Sequence, residues 1–159
     1  MKKILAMGIA LLSFVLFSAC GNEDGPSGHA AGTYMVLRTI SMRVPPTFPF
    51  IPVSHETKLT IKAENENFVN IILPGASYTL EGEQMDMPTF TLRSIPVLDD
   101  GKGGITIPHH DFNQKVGNKT VIGTIEGDVE ADGDLELDVE FKYGAMPFYM
   151  IQKYESLNR

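Results

Sequence analysis

The stretch Leu135-Glu136-Leu137-Asp138-Val139-Glu140-Phe141-Lys142-Tyr143 decides the fold class, because apolar and charged side chains alternate along it without a break. Successive side chains of an extended strand point to opposite faces, so the five apolar ones share one face and the four charged ones the other. A helix would scatter the same apolar residues around its surface. The stretch is therefore predicted to be a strand with one buried face.

The same period of two recurs on both sides of this stretch, most clearly at residues 58–62 and 89–93. Further strands are predicted at residues 33–44, 67–73, 77–81, 104–108, 119–130 and 148–154. Turns rich in Gly, Asn and Asp separate them, and Asp-Gly between two alternating segments favours a hairpin. No long segment shows a helical period, although residues 108–117 could form one helical turn. The pattern predicts an all-β domain, either a sandwich or a closed barrel.

Length and composition exclude several classes of protein. The chain has 159 residues, about one domain, with 43% hydrophobic and 21% charged residues, which is ordinary globular usage. The formal net charge of −7 disfavours a basic surface for nucleic acid. The single cysteine cannot form an internal disulfide or a cysteine-rich zinc site.

The N-terminal segment is predicted to be a targeting signal. Lys2 and Lys3 precede an uncharged apolar run at residues 4–17, and small residues follow it up to Cys20. A basic start, an apolar run and small residues before a cleavage site are typical of a secretory signal peptide. The run is too short to cross roughly 30 Å of hydrocarbon comfortably. Residues 1–19 are therefore assigned to a signal peptide.

Phe17-Ser18-Ala19-Cys20 resembles the lipobox of bacterial lipoproteins, with Phe in place of the usual Leu. The resemblance implies that Cys20 becomes the first residue and that its thiol carries lipid. Because the chain is acidic, lipid and not charge would hold it at the membrane. The acids at residues 23–24 are similar to the surface-export signal of Bacteroidetes lipoproteins, a solvated linker being the alternative. We expect an outer-membrane lipid anchor and a flexible tether at residues 20–31, which are small and polar.

Residues 32–159 form the predicted domain, and its first strand opens with Gly32-Thr33-Tyr34. This resembles the Gly-x-Trp signature of lipocalins and other calycins, with Tyr for Trp. With the segments 70–74, 132–137 and 143–148, the domain is similar to the calycin-like β-barrel lipoproteins of Bacteroides and related bacteria over about residues 32–155. The resemblance implies a single antiparallel up-and-down barrel of about eight strands, lipocalin-like, that binds a small apolar ligand without a cofactor.

Two polar clusters are candidates for sites of chemistry. In an extended Ser54-His55-Glu56 segment, His55 points away from its two neighbours, so the three cannot form a catalytic triad. His109 and Asp111 share a face and suit a divalent metal, but a site needs at least one more ligand and no partner motif is visible. We therefore predict no catalytic residues, no metal site and no enzymatic activity.

The segment from Val44 to Val53 contains four prolines, which remove backbone donors and exclude a central strand. It also contains Phe48, Phe50 and Ile51, each of which costs about 1.5–3 kcal/mol if fully exposed to water. These side chains either cap one end of the barrel or contact a ligand or partner.

An eight-stranded barrel has room for its own side chains or for one small ligand. The predicted inward set is bulky, which favours a filled interior; it is Leu59, Ile61, Phe90, Leu92, Leu137, Val139, Phe141 and Tyr143. One hypothesis is a binding module for a small apolar ligand, held in a mouth lined by Tyr34, Phe48, Phe50 and Met146. The alternative is a non-enzymatic scaffold with a filled barrel that docks an unidentified outer-membrane partner protein. The first is our working hypothesis.

Overall fold

A computed structural model describes residues 25–45, 50–80 and 82–157, so the predicted signal peptide, Cys20 and Phe48 lie outside the described residues. The described elements are α1 (Pro26–Ala30), β1 (Gly32–Arg43), β2 (Val53–Asn65), β3 (Phe68–Leu73), β4 (Ala76–Leu80), β5 (Glu83–Met87), β6 (Phe90–Pro96), β7 (Leu98–Asp99), β8 (Ile105–Val116), β9 (Lys119–Val129), β10 (Leu135–Tyr143) and β11 (Tyr149–Ser156).

Nine strands form one antiparallel sheet in the order β6-β3-β2-β1-β11-β10-β9-β8-β7. Apart from the β4–β5 hairpin, which is inserted between β3 and β6, and from β6 and β7, which lie at opposite edges of the sheet, each strand pairs with its neighbours in sequence, and β11 returns to β1. The prediction of an all-β, up-and-down barrel is confirmed. The sheet has nine strands where about eight were expected, because β6 and β7 are one extended run that changes partner at Val97.

A side chain bridges the edge strand β6 and the strand β8, which lies next to the other edge strand β7; among the described residues, no backbone ladder joins β6 and β8. The Gln114 Nε2 group donates a hydrogen bond to the Thr91 carbonyl oxygen at 2.9 Å, and the Arg93 amide donates to the Gln114 Oε1 atom at 3.3 Å. The amide side chain therefore satisfies one donor and one acceptor of β6 that would otherwise lack a partner. The barrel is nearly closed at this seam.

The curvature of the barrel depends on two glycines in β9. A Cβ atom added at Gly123 would lie 2.6 Å from the Cβ of Phe141, and closer still to the carbonyl oxygen of Glu140. One added at Gly127 would lie 3.0 Å from the Cα of Leu137. Only glycine allows β9 to approach β10 so closely, and this approach bends the sheet.

Inward-facing side chains fill the barrel. On β10, Leu135, Val139 and Phe141 are fully buried and Leu137 nearly so, while the charged residues between them face outward. The rings of Phe90 and Phe141 pack edge to face with their centroids 5.5 Å apart. The rest of the predicted inward set is also buried, except for the half-buried Tyr143 at the rim. The interior is therefore packed with the protein's own side chains.

Part of the segment predicted to be a flexible tether is helical and packed. In α1, Ser27 and Ala30 are fully buried, and the Ser27 amide donates a hydrogen bond to the Glu66 carbonyl oxygen at 3.2 Å. The composition favours a linker, but small side chains are what allows this turn to fit into the end of the barrel. The packed structure thus begins before residue 32.

The strands define two ends of the barrel. The base is the end with α1 and the β2–β3, β7–β8 and β9–β10 turns. The mouth is the opposite end, with the β1–β2 link, the β4–β5 hairpin, the β8–β9 turn and the β10–β11 link. No helix in the described part of the chain is long and apolar enough to cross a bilayer.

Candidate ligand-binding mouth

The β4–β5 hairpin forms a two-stranded sheet of its own and has one polar and one apolar face. On its outer face, the Ser77 hydroxyl donates a hydrogen bond to the Asp86 carboxylate at 2.6 Å. On its underside, Ala76, Tyr78 and Met87 are 7%, 6% and 4% exposed. An isolated two-stranded hairpin is marginally stable at best, so contacts of this underside with the barrel must hold it in place.

The hairpin lies across the mouth. It follows β3, whereas Met146 lies in the link that follows β10, and three strands separate β3 from β10 in the sheet. Yet the Tyr78 hydroxyl reaches the Met146 sulfur at 3.7 Å. This contact therefore joins opposite sides of the barrel, and burial beneath the hairpin raises the pKa of Tyr78. The hairpin therefore covers part of the mouth, and we call it the lid.

Half-buried apolar side chains surround the lid. Phe50 and Met146 pack against the core at this end, together with Val44, Val116 and Tyr143. Two of the four predicted ligand-binding residues, Phe50 and Met146, are thus placed at the mouth. Ile51, beside Phe50, is 81% exposed and does not cap the barrel.

Tyr34 does not belong to the mouth. It lies near the start of β1, at the base, where its hydroxyl donates a hydrogen bond to the Ala30 carbonyl oxygen at 2.8 Å. Arg43, at the far end of β1, pairs with Tyr149 just after the link that contains Met146. Tyr34 and Met146 are therefore at opposite ends of the barrel, and Tyr34 holds α1 in the base. Burial there raises its pKa.

A buried arginine lies where the hairpin leaves the barrel. Arg38 points inward from the middle of β1 and is 2% exposed. Its Nη1 group donates a hydrogen bond to the Pro74 carbonyl oxygen at 2.6 Å, and its Nη2 group donates to the Gly75 carbonyl oxygen at 3.0 Å. Its Nε group donates to the Nε2 atom of His55 at 3.1 Å. No carboxylate among the described residues forms an ion pair with it.

Burial and the charge of Arg38 shift the pKa values of two neighbouring side chains, His55 and Tyr154. Because His55 accepts a hydrogen bond at Nε2, its ring is neutral, and partial burial followed by the charge of Arg38 lowers the pKa of His55. On the neighbouring strand β11, Tyr154 lies directly opposite Arg38. Tyr154 is fully buried and donates a hydrogen bond to the Gln152 amide oxygen. Burial raises the pKa of Tyr154, and the charge of Arg38 opposes that rise.

The alternation of β1 contains a signal for this buried centre that the sequence prediction missed. Val36, Arg38 and Ile40 fall on one face of β1, so the alternation itself places an arginine among inward apolar residues. Its carbonyl partners are 36 and 37 residues away along the chain and could not be identified from the pattern.

The two polar clusters that the sequence offered as candidate sites, at residues 54–56 and 109–111, do not form a site in the structure. His109 pairs through Nδ1 with the Glu126 carboxylate at 3.1 Å on the exposed outer face. Ser54 hydrogen-bonds to Thr39 at 2.8 Å, away from the inward-facing His55. In the part of the chain that the structure describes, no three His, Cys, Asp or Glu residues are placed to hold a metal ion.

An acidic groove runs along the outer face of β8 to β11. Its volume is about 390 Å³, and its lining includes Glu126, Asp128 and Asp138 together with His109 and Lys153. Lys153 pairs with Asp138 at 3.2 Å. The groove is a surface feature separate from the mouth, and its side chains are solvated.

Comparison with known proteins finds a likeness in fold. No protein-family model matches the sequence, and no curated protein matches it at a significant level. The chain is similar to the crystal structure, at 2.40 Å resolution, of a Bacteroides fragilis NCTC 9343 protein assigned provisionally to the outer membrane. The TM-score is 0.66 at 23% identity, over 82% of this chain and 52% of that one. The chain therefore spans about half the length of that protein and shares its barrel fold.

Proposed function

We propose that this protein is a non-enzymatic, calycin-like lipoprotein of the bacterial outer membrane that binds a small apolar ligand in its mouth, beneath the β4–β5 hairpin. The observation that supports this best is the separate, apolar-faced hairpin, which crosses the mouth and contacts Met146. Small-molecule sites are concave and mostly apolar, and barrel mouths are common places for them.

The proposal places the ligand at the mouth and not in the barrel interior. The inward side chains below the mouth, such as Leu92, Val139 and Phe141, are fully buried and packed. A ligand that entered between them would have to displace close-packed side chains. A ligand beneath the hairpin needs only the lid to lift, and its apolar surface would replace the contacts that the hairpin gives up.

The lipid anchor would place the mouth away from the membrane. Cys20 precedes Gly25 by five residues, and Gly25 lies at the base beside Glu66. Five extended residues span at most about 18 Å. A lipid on Cys20 would therefore hold the base close to the bilayer and leave the lid accessible from the other side.

Native mass spectrometry tests the ligand proposal. A chain of residues 21–159, which keeps every described element, is incubated with bacterial lipid extract and weighed. We expect a bound small molecule, with occupancy reduced about tenfold by Met146→Gln because a polar group would then face the ligand. Met35→Gln is the matched control, since Met35 lies on the outer face near the base and is 41% exposed. A bare chain mass in every sample would refute ligand binding.

The second candidate function is a scaffold that docks an outer-membrane partner protein. The filled interior and the acidic outer groove favour it, because a docking protein needs a surface and no cavity. A photocrosslinker at Asp128, in the groove, would then recover one partner from intact cells, whereas one at Ser77, on the lid, would not. Recovery of no partner at Asp128, with a ligand bound in the mass spectrum, would exclude this alternative.

A further inference from the structure

The buried charge of Arg38 is not explained by an apolar ligand alone. A guanidinium removed from water without an anionic partner is costly, and buried charges are normally paired. Among the described residues, its partners are two backbone carbonyl oxygens, one neutral imidazole nitrogen and the neutral Tyr154 hydroxyl. The described part of the fold thus retains, where the lid joins the barrel, a cation whose hydrogen bonds are all to neutral groups.

The two carbonyls bind Arg38 as a carboxylate would. They belong to successive residues, and one oxygen accepts from each of the two terminal nitrogens of the guanidinium, at 2.6 and 3.0 Å. A carboxylate presents two oxygens to the same planar fork, with the addition of a full negative charge. The guanidinium already makes charge-assisted hydrogen bonds to the two carbonyls, and a carboxylate would add the attraction between opposite charges at a site removed from water. An anion could therefore displace the carbonyls.

We infer that the ligand of the mouth is an amphiphile with a carboxylate headgroup, which takes the place of the Pro74 and Gly75 carbonyls on Arg38 when the lid lifts. This inference rests on the proposed function and names the ligand class of that site. The apolar tail lies against the underside of the hairpin, and His55 stays on the guanidinium. Because Arg38 is 2% exposed, headgroup binding and lid opening occur together.

Two short segments, residues 74–75 and 88–89, connect the hairpin to the barrel and form its neck. The contacts between them allow the neck to move as a unit. The Gly75 amide donates a hydrogen bond to the Thr89 hydroxyl at 3.0 Å, which joins the two ends of the hairpin. A Cβ atom added at Gly75 would lie 2.8 Å from the Met87 carbonyl oxygen, so the two neck segments are in close contact. Release of Arg38 therefore frees both segments together, and no strand of the barrel has to leave the sheet.

The test compares two probes that share a tail. The mature lipidated protein in zwitterionic lipid nanodiscs is titrated at pH 7.5 with labelled decanoate or decanol, with empty nanodiscs as the blank. We expect decanoate to bind about tenfold more tightly than decanol, because only decanoate can form a bidentate ion pair with the guanidinium. The preference should be lost in Arg38→Met and kept in Arg43→Met, since Arg43 lies on the same strand but its side chain is 67% exposed.

Each outcome has a distinct meaning. Equal binding of the two probes overturns the headgroup inference and leaves the apolar site intact, whereas binding of neither refutes the proposed function itself. A preference for decanoate that persists in Arg38→Met also overturns the inference. If that variant does not fold, hydrogen exchange of the unaltered protein decides: faster exchange across residues 74–80 with decanoate alone supports the inference, and equal exchange with both probes overturns it.

Discussion

Replacing Gly123 by alanine should open the barrel wall between β9 and β10. The added Cβ atom would lie 2.6 Å from the Cβ and 2.7 Å from the Cα of Phe141, and closer still to the Glu140 carbonyl oxygen. Ordinary contacts of a Cβ atom are 3.4–4 Å, so β10 must retreat by about an ångström or more to clear the Glu140 carbonyl oxygen. The atoms that the added Cβ meets include backbone atoms of β10, which cannot rotate out of its way as the end of a flexible side chain could.

The free-energy cost of this retreat has two parts. Overpacking a tight site costs about 1–3 kcal/mol. Stretching the neighbouring ladder weakens about two backbone hydrogen bonds, worth about 1 kcal/mol each. A total of about 3–5 kcal/mol is a large share of the ordinary stability of a domain. The melting temperature should fall by about 10 °C or more.

Thermal unfolding followed by far-ultraviolet circular dichroism measures the effect. Thr120→Ala is the control on the same strand, because Thr120 is exposed and its loss should cost about 1 kcal/mol or less. If Gly123→Ala melts as the control does, the close approach of β9 and β10 does not depend on the missing side chain.

Three further predictions concern the lid, the seam and the anchor. Because the pKa of His55 is lowered in the folded protein, stability should decline as the pH falls below about 6.5, the ordinary histidine value. His55→Gln should reduce the difference in melting temperature between pH 7.5 and 5, and an unchanged difference would contradict the assignment. Gln114→Ala should cost about 1–2 kcal/mol and speed hydrogen exchange at the Arg93 amide, whereas unaltered exchange would show that the bridge does not close the seam. Cys20→Ser should move the protein out of the lipid-anchored membrane fraction, and retention of metabolically incorporated palmitate in this variant would disprove lipidation at that thiol.

The strands of the barrel could be predicted because one buried face imposes a period of two. The stretch 135–143 matches β10 (Leu135–Tyr143) at both bounds, and seven of the eight residues predicted to face inward are buried. The possible helical turn at residues 108–117 is part of β8 (Ile105–Val116), where the inward alternation resumes after an irregularity between Ile107 and His110. The alternation of apolar and polar residues shows which side chains of a strand are buried, and this signal does not depend on the overall composition of the segment.

The candidate site was less predictable because it depends on which end of the barrel each link occupies. The alternation at residues 77–81 predicts a strand, but nothing in it shows that β4 leaves the barrel sheet to form a lid. The working hypothesis groups Tyr34 with Met146 in one mouth, because Gly32-Thr33-Tyr34 resembles the calycin signature and the proline-rich segment is apolar. Counting strands separates them, since the start of β1 and the end of β10 lie at opposite ends of an up-and-down barrel.

The two ends of the barrel are closed by different kinds of contact, and this difference supports the proposal that a ligand binds at the mouth. At the base, α1 is held by a backbone hydrogen bond from Ser27 to Glu66 and by the Tyr34 hydroxyl, with Ala30 fully buried. At the mouth, the lid is held by apolar contacts, a 3.7 Å hydroxyl–sulfur contact and neutral carbonyls on a cation. Local opening begins where contacts are weakest and most easily replaced. The proposed ligand, with an apolar tail and an anionic headgroup, offers replacements for the contacts at the mouth and none for those at the base, which is why we propose the mouth as its site.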